Sequence, residues 1–397
     1  MTTELEQLEK ELQLELTNIL CYWMQYTIDE EYGGIYGKID NDNGIDNNAP
    51  RGLVLNARVL WAFSAAYNHS KEKKYLLIAD RTFRYLIDHF LDKQYGGFYW
   101  SVDKYGKAGD EKKQVYGIAF SLYGFSEYYK ATSSEEALRQ ARDCYALIEQ
   151  YSFDEKKGGY LEAFTRNWQS MEDLRLSQKD ANEKKTMNTH LHVVEAYTNL
   201  YRIWKDDRLR NSIKLLLENF INHIINKDTG HLNLFFDEEW NVRGNIISYG
   251  HDIEAAWLLQ EAAEIIEDET LIKTVKEFSI KLAIAAAKGL DVDGGLWYEK
   301  EHEKLVTEKH SWPQAEAMVG FFNSWQLTGD DKYLRYAFNS WQFIQQYIID
   351  KKNGEWFWGV NRDYTIIEGQ DKAGFWKCPY HNTRACMEIN KRIQAIK

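Results

Sequence analysis

Apolar residues return along most of the chain at the three- and four-residue spacing of amphipathic helices, and the helical stretches come in pairs. One set begins near Leu5, Lys73, Glu135, Asp207, Thr270 and Asp331, and the other near Leu53, Val115, Asn188, Tyr249, Pro313 and Tyr380. Polar turns such as SKEKKY, SSEEAL, KDDRL and GDDKYL join helices within pairs and offer side-chain oxygens for helix N-caps. Elsewhere a glycine turn followed by an aromatic or apolar run recurs six times: GGIYG at Gly33, GGFYW at Gly96, GGYLEAF at Gly158, TGHLNLF at Thr229, GGLWY at Gly294 and NGEWFW at Asn353. The copies lie about sixty to seventy residues apart, regular enough to mark a repeat architecture. Each copy reads as a short strand after a tight turn. The three prolines, Pro50, Pro313 and Pro379, fall at or near predicted helix starts, where proline is tolerated.

Six helical hairpins either stack as an open superhelix or close into a ring. Open stacks end in atypical polar caps, yet the last predicted helix, around PYHNTRACMEIN, is as aromatic and polar-functional as the inner ones. The expectation is therefore an all-α (α/α)6 barrel forming one domain over residues 1–397, with the first helix outer, the last inner and short β-hairpins at the mouth. In such a ring the inner helices run parallel. Their N-terminal ends meet at one cavity, and their dipoles point positive ends into it.

Composition narrows the partners. A formal charge of −12 argues against nucleic acid or an anionic membrane surface. Aromatic residues make up 15% of the chain, with 14 tryptophans, which fits an aromatic core or a cleft whose rings stack on sugar C–H faces. Cys21, Cys144, Cys378 and Cys386 form no CxxC pair and read as buried free thiols of a reducing compartment. The charged start, MTTELEQLEKELQLEL, has no signal-peptide core, and no run approaches a membrane span. A cytoplasmic monomer or weak homo-oligomer acting on a small molecule is expected.

Each inner helix begins with polar or aromatic residues that a plain bundle core would not choose. These are Arg58; Tyr116; Asn188 and His192; His251, Asp252 and Glu254; Trp312, Gln314 and Glu316; and Trp376, His381, Asn382 and Arg384. Singly they fit ordinary burial, with Arg58 as an ion-pair partner of Glu254 or Glu316. His190 and His192 are two apart on a helix, so at most one faces the cavity. Together, at equivalent places of a repeat, they suggest one shared site. Three histidines suit proton transfer near neutral pH. The C2 hydrogen of an open-chain aldose lies beside the aldehyde, and its removal gives an enediolate that Arg58 and a third histidine can stabilise. Returning the proton to the opposite face inverts C2 with no metal or cofactor. Three other readings compete. His251 and Glu254 share a helical face, as metal ligands do, although HExxH is absent. Asp252, Glu254 and Glu316 can furnish a glycosidase pair. A non-catalytic sugar binder explains the aromatics but not the histidines. No phosphate loop, dinucleotide fingerprint or GxSxG elbow occurs.

The strings LNARVLWAFSAAY, TMNTHLHVVEAYTNLY, SYGHDIEAAWLL, WPQAEAMVGFFN and WKCPYHNTRACMEI closely resemble the cellobiose 2-epimerases of the N-acylglucosamine 2-epimerase superfamily, along essentially the whole chain. The resemblance implies the same barrel and reversible, cofactor-free conversion of the reducing-end glucose of β-1,4-linked disaccharides (cellobiose, lactose or mannobiose) to mannose and back. It makes His251 and His381 the acid/base pair at C2, His192 the third histidine assisting ring opening and the intermediate, and Arg58 the arginine near the carbonyl and enediolate oxygens. Tyr116, Asn188 and Glu254 match hydroxyl-binding or histidine-orienting positions, Trp312 and Trp376 match aromatic walls, and Glu316 joins the substrate-binding set. His190 falls where no direct role is expected. Two positions depart from the pattern. Ser311 stands where the family often has a second tryptophan, and Thr383 where it often has glycine. The first leaves a mannose 2-epimerase acting on the free sugar as the alternative, and a related aldose–ketose isomerase using the same enediolate is a third reading. The polar segment 167–186 reads as a long loop of the kind that shapes a cleft.

Overall fold

The computed structural model describes residues 2–396, and in them twelve α-helices alternate with short extended segments. In chain order these are α1 (Thr2–Tyr26), α2 (Leu53–Ser70), α3 (Lys73–Tyr85), α4 (Val115–Thr132), α5 (Glu135–Leu147), α6 (Met187–Tyr201), α7 (Asp207–Asn219), α8 (Tyr249–Ile265), α9 (Glu269–Ala286), α10 (Ser311–Thr328), α11 (Asp331–Phe343) and α12 (His381–Ile396). Even-numbered helices form the inner ring: α2 packs on α4, and so on around to α12, which returns to α2. Odd-numbered helices form the outer ring, and α1 packs against α12, so the two ends of the chain complete the sixth pair. The fold is the expected (α/α)6 barrel.

Sequence decides which helix goes where. From Leu53 to Ala66 every residue of α2 is buried. A helix apolar all round has to be enclosed on all sides. By contrast α3 buries only Tyr75, Ala79, Thr82, Phe83 and Tyr85, mostly one stripe at helical spacing. Side-chain caps form at three of the four polar turns: Ser134 accepts from Ala137 N–H, Asp206 from Arg208 and Leu209 N–H, and Asp330 from Lys332 N–H, whereas Glu72 of SKEKKY makes no side-chain cap. Close approach of inner helices needs glycine at Gly320, where a Cβ would lie 2.5 Å from the Ile253 carbonyl oxygen.

Short strands surround the mouth. They are β1 (Arg51–Gly52), β2 (Ser101–Val102), β3 (Lys113–Gln114), β4 (Ala163–Phe164), β5 (Lys185–Thr186), β6 (Phe235–Phe236), β7 (Ile246–Ser248), β8 (Glu299–Glu301), β9 (Lys304–Val306), β10 (Lys309–His310) and β11 (Gly359–Val360). The antiparallel pairs are β1–β2, β3–β4, β5–β6, β7–β8–β9 and β10–β11. In most of them the strand entering one inner helix pairs with the strand that follows the next glycine turn, so the pairing ties neighbouring repeats together. A bridge between Ile39 and Ala373 does the same across the chain ends and closes the circle. Only β8–β9 is a local hairpin among the described strands. Within a glycine copy the closure is a single bridge, such as Leu91 to Phe98, over a turn in which Gly97 has φ +68°.

An ion pair with a buried cation accompanies this pattern. The residue two before an inner helix, or at the matching place before α12, is a cation held by an aspartate of the preceding glycine turn. The pairs are Arg51–Asp29, Lys113–Asp92 (2.9 Å), Lys185–Asp154 (2.9 Å), Lys309–Asp291 (2.8 Å) and Lys372–Asp350. In the fourth repeat both charges are gone together: the corresponding positions are Asn226 and Ile247. Loss of one partner alone would strand a buried charge.

The apolar core runs continuously from Leu5 to Ile393. Among the described residues no helix is long and apolar enough to cross a membrane. Cys144, Cys378 and Cys386 are buried free thiols, but Cys21 is exposed. It lies on the outward face of α1, a helix with solvent on one side, so its predicted burial is corrected.

Candidate active site

A cavity of about 530 Å³ opens where the inner helices begin. Arg58, Tyr116, Asn188, His192, His251, Glu254, Trp312, Trp376 and His381 line it, drawn from all six inner helices and the segment before α12. Segment 165–184 holds no regular helix or strand, and its residues 174–181 lie over one side of the mouth. The loop is fastened internally, with Leu174 N–H donating to Asn182 Oδ1 and Ser177 Oγ to Asp180, and to the barrel through Gln114 Nε2 to the Leu174 carbonyl.

The two histidines at the starts of α8 and α12 both pack against one tryptophan. Ring centroids of Trp312 and His251 are 4.7 Å apart, and those of Trp312 and His381 are 5.5 Å apart. Each imidazole is tied at Nδ1, leaving Nε2 as the atom that can reach the cavity. His381 Nδ1 lies 2.7 Å from Glu316 Oε1, whereas His251 Nδ1 lies 2.8 Å from the Ser248 hydroxyl. The partners differ in kind. A carboxylate accepts and so fixes Nδ1–H on His381, but a hydroxyl both donates and accepts and permits either tautomer of His251. Burial lowers all three site histidines, His251 to about 3, His381 well below its ordinary value, and His192 downward despite its bond to Glu195. Their neutral forms therefore prevail at pH 7.

Arg58 stands across the site. Its Nη2 donates to Tyr116 Oη at 2.7 Å, Nη1 approaches Cys378 Sγ at 3.8 Å, and its guanidinium carbon lies 4.1 Å from the Phe120 ring centroid and 4.7 Å from that of Tyr380. The expected ion pair of Arg58 with Glu254 or Glu316 does not form. Arg384, one turn into α12, takes both carboxylates instead, at 2.7 and 2.6 Å, and also Glu195. Glu195 Oε2 in turn holds His192 Nδ1 at 2.8 Å, and Tyr380 Oη donates to Glu195 Oε1. A single buried guanidinium thus anchors the carboxylates behind His192 and His381. Burial alone opposes ionisation of Glu195, but Arg384 and His192 hold it down at about 2. Burial and the nearby Glu316 charge push Glu254 up to about 8, and its Oε2 has no hydrogen-bond partner within the protein.

Glu316 does not line the cavity. It is fully buried, accepting from His381, Arg384 and the Trp257 indole N–H (3.0 Å), so the expected direct sugar contact gives way to a place behind His381. Asp252 also points away, bound to His231 Nδ1 and Leu232 N–H, and Gln314 to the backbone of Leu296. These are latches between an inner helix and its glycine turn. His190 is another, with Nδ1 donating to the Thr186 carbonyl (2.6 Å) and Nε2 accepting from Tyr160 N–H (2.9 Å). Only His192 of that pair faces the cavity, as the two-residue spacing required. With Asp252 and Glu316 withdrawn, the glycosidase reading loses its carboxylate pair. Glu254, Glu316 and His381 place ligand atoms within 4.8 Å of one another, the arrangement a cation would need. The Arg384 guanidinium already bridges the two carboxylates there, so these residues fit an organic cation better than an added metal ion. Thr383 is buried and turned from the cavity, its hydroxyl bonded to the Pro379 carbonyl, so this departure from the family pattern leaves the wall unchanged. Ser311 lines the cavity.

Sequence reasoning gave Arg384 no role and passed over Glu195, Ser248 and Tyr380. The signal was present in the helical spacing of Glu195 three after His192 and Arg384 three after His381.

The profile of the N-acylglucosamine 2-epimerase (GlcNAc 2-epimerase) family matches residues 34–385. The chain is 48% identical over 390 residues to a cellobiose 2-epimerase of Bacteroides fragilis, covering 97% of this chain and 99% of that protein. It is 40% identical over 392 residues to one of Dictyoglomus turgidum, covering 98% and 100%. The solved cellobiose 2-epimerase of Spirochaeta thermophila superposes with a TM-score of 0.94 at 38% identity, over 99% of this chain and 98% of that one. A D-mannose isomerase structure at 23% identity and TM-score 0.83 has the same fold. The chain belongs to the N-acylglucosamine 2-epimerase family and is a sugar epimerase, an isomerase.

Proposed function

We propose that the protein interconverts glucose and mannose at the reducing end of β-1,4-linked disaccharides, cellobiose foremost, by inverting C2. The observation that carries the mechanism is the pair His251 and His381, each tied at Nδ1 and each packed against Trp312 at the cavity wall. After ring opening, assisted by His192, one imidazole Nε2 removes the C2 proton. The electron pair of the C–H bond forms the C1–C2 double bond, and the carbonyl electrons move to O1, giving the enediolate. Arg58, itself buried at the cavity wall, meets that charge with N–H groups already in place. The other imidazole returns a proton to the opposite face. Burial keeps both rings neutral and able to accept a proton, and the Glu316–Arg384 pair favours the imidazolium that forms on His381. The disaccharide substrate is supported by the long full-length match to cellobiose 2-epimerases and by a cavity of about 530 Å³. Tyr116, Asn188, Glu254 and Trp376 surround the same space and serve to hold the sugar.

The test is incubation of chelator-treated protein with cellobiose, and separately with mannose, in deuterated water, followed by NMR. Glucosyl-mannose carrying deuterium at C2 is the expected product. Faster turnover of mannose to glucose would make this a monosaccharide enzyme and place the cause at Ser311. Fructose as the main product would replace epimerisation by isomerisation. His251→Ala and His381→Ala should each abolish turnover while keeping native helicity. A folded variant with substantial activity would remove that histidine from the pair.

A further inference from the structure

The buried arginines of this barrel are treated unequally. Arg51 has Asp29, and Arg384 has Glu195, Glu254 and Glu316. Arg58, with 3% of its surface exposed, meets no carboxylate among the described residues. Its neighbours are the Tyr116 hydroxyl, the Cys378 thiol and the faces of Phe120 and Tyr380. Burial holds the Tyr116 and Cys378 protons on well past neutrality, so neither supplies a counter-charge. The Arg58 Nε is enclosed with no acceptor. His192, His251 and His381 share the cavity as neutral rings. Of the carboxyls that line the cavity, Glu162, Asp180, Glu183, Glu254 and Glu299, none is bonded to Arg58, and Glu254 gives its Oε1 to Arg384. A buried, permanent positive charge therefore stands at the wall of the cavity with no carboxylate bonded to it.

Such a charge is costly to bury and is best compensated by what enters the cavity. Resting on the reading of this cavity as a reducing-end sugar site, we propose that the protein also binds aldonates, the sugar acids whose C1 is a carboxylate, and that they act as competitive inhibitors. The chemistry of recognition is specific. An aldonate is open-chain, as the reacting sugar is, and its C1 is planar with one negative charge shared by two oxygens. The enediolate carries the same single charge on O1, beside a planar C1–C2 unit with the O2 hydroxyl next to it. A guanidinium suits a planar two-oxygen anion through paired N–H donors. A site built to hold a charged intermediate holds a stable look-alike more tightly than the neutral substrate. The matching alditol has the same chain and hydroxyls but an uncharged CH2OH at C1, so it isolates the contribution of the carboxylate.

The experiment is titration calorimetry of the full chain at pH 7 with cellobionate and with cellobiitol, alongside inhibition of cellobiose epimerisation by each. Cellobionate is expected to bind at least tenfold more tightly than cellobiitol and to inhibit competitively. The advantage should fall to within about threefold in Arg58→Met, which should still bind cellobiitol. Raising the salt concentration should erode the wild-type advantage much less than it would for an exposed charge pair. Equal or weaker binding of cellobionate by a wild-type protein that epimerises cellobiose overturns the proposal and leaves the epimerase reading standing. Binding of neither compound, together with no epimerisation, sinks the reading of the cavity itself. If Arg58→Met fails to fold, the wild-type comparison still decides.

Discussion

Replacing Glu316 by glutamine tests whether this side chain positions His381 or touches the sugar. All three groups around the carboxylate are donors: His381 Nδ1 at 2.7 Å, Arg384 Nη2 at 2.6 Å and Trp257 Nε1 at 3.0 Å. A glutamine amide has one acceptor oxygen and one NH2, so whichever way it turns, a donor faces a donor. A hydrogen bond to a charged group is worth about 1.5–3 kcal/mol, and leaving a buried polar group unsatisfied costs about 1–3 kcal/mol. In the proposed mechanism the carboxylate also supports an imidazolium on His381, a charge present in the transition state but not in the resting enzyme. A loss of about 2–4 kcal/mol there corresponds to roughly a 30- to 1,000-fold fall in kcat. KM for cellobiose should change little, because Glu316 does not line the cavity. Steady-state kinetics with cellobiose, checked against thermal unfolding and helicity, give the answer. A folded Glu316→Gln protein with kcat within threefold of the parent would refute the positioning argument. A raised KM at unchanged kcat would instead restore the direct sugar contact that the sequence suggested.

Three further outcomes follow from the same geometry. Ser248→Ala should lower kcat about tenfold and flatten no helix, while Ser248→Thr should recover most of it, since a hydroxyl beside His251 Nδ1 is what is required; unaltered kinetics for the alanine variant would deny Ser248 a positioning role. Lys185→Ile should cost about 3–5 kcal/mol in urea unfolding by stranding Asp154, and adding Asp154→Asn, which copies the uncharged Asn226 and Ile247 of the fourth repeat, should recover most of that loss; no recovery would show that the pair is not the unit. His190 is held down at about 4 by burial, so the folded state resists protonating it. The stabilisation is complete above about pH 6.5, the unfolded value, and is lost as pH falls through the folded one, on the order of 3 kcal/mol in all. Unfolding in urea at pH 7 and pH 4 should show this slope, reduced in His190→Gln; an unchanged slope in that variant would assign the acid sensitivity elsewhere.

The alternative of a sugar-binding protein without turnover is met by the same assays, since such a protein would bind cellobiitol and leave cellobiose unchanged. Ser311 lines the cavity, and the comparison of cellobiose with mannose tests whether it sets the preference between disaccharide and free sugar.

Much of the architecture was legible because it is written locally. Helix starts expected at Leu53, Val115, Tyr249, Lys73, Glu135, Asp207 and Asp331 are the observed ones, and the others lie within three residues. Apolar periodicity, Asp and Ser caps and glycine turns act over a few residues, so the chain alone sets them. Convergence of residues from six distant segments on one mouth also followed from the sequence, once the repeat put each at the same place on a parallel inner helix. What the sequence left open is who meets whom across the barrel. Arg58 and Arg384 are equally plausible partners for Glu254 and Glu316 on paper. The ring places Arg384, 68 residues from Glu316 and 130 from Glu254, between them, and leaves Arg58 against aromatic faces. Likewise Glu316 and Glu254 both start inner helices, yet one stands behind the wall and the other on it, because side-chain direction depends on each helix's rotation about its own axis. That rotation is fixed by packing against two neighbours and an outer partner, which no local pattern encodes.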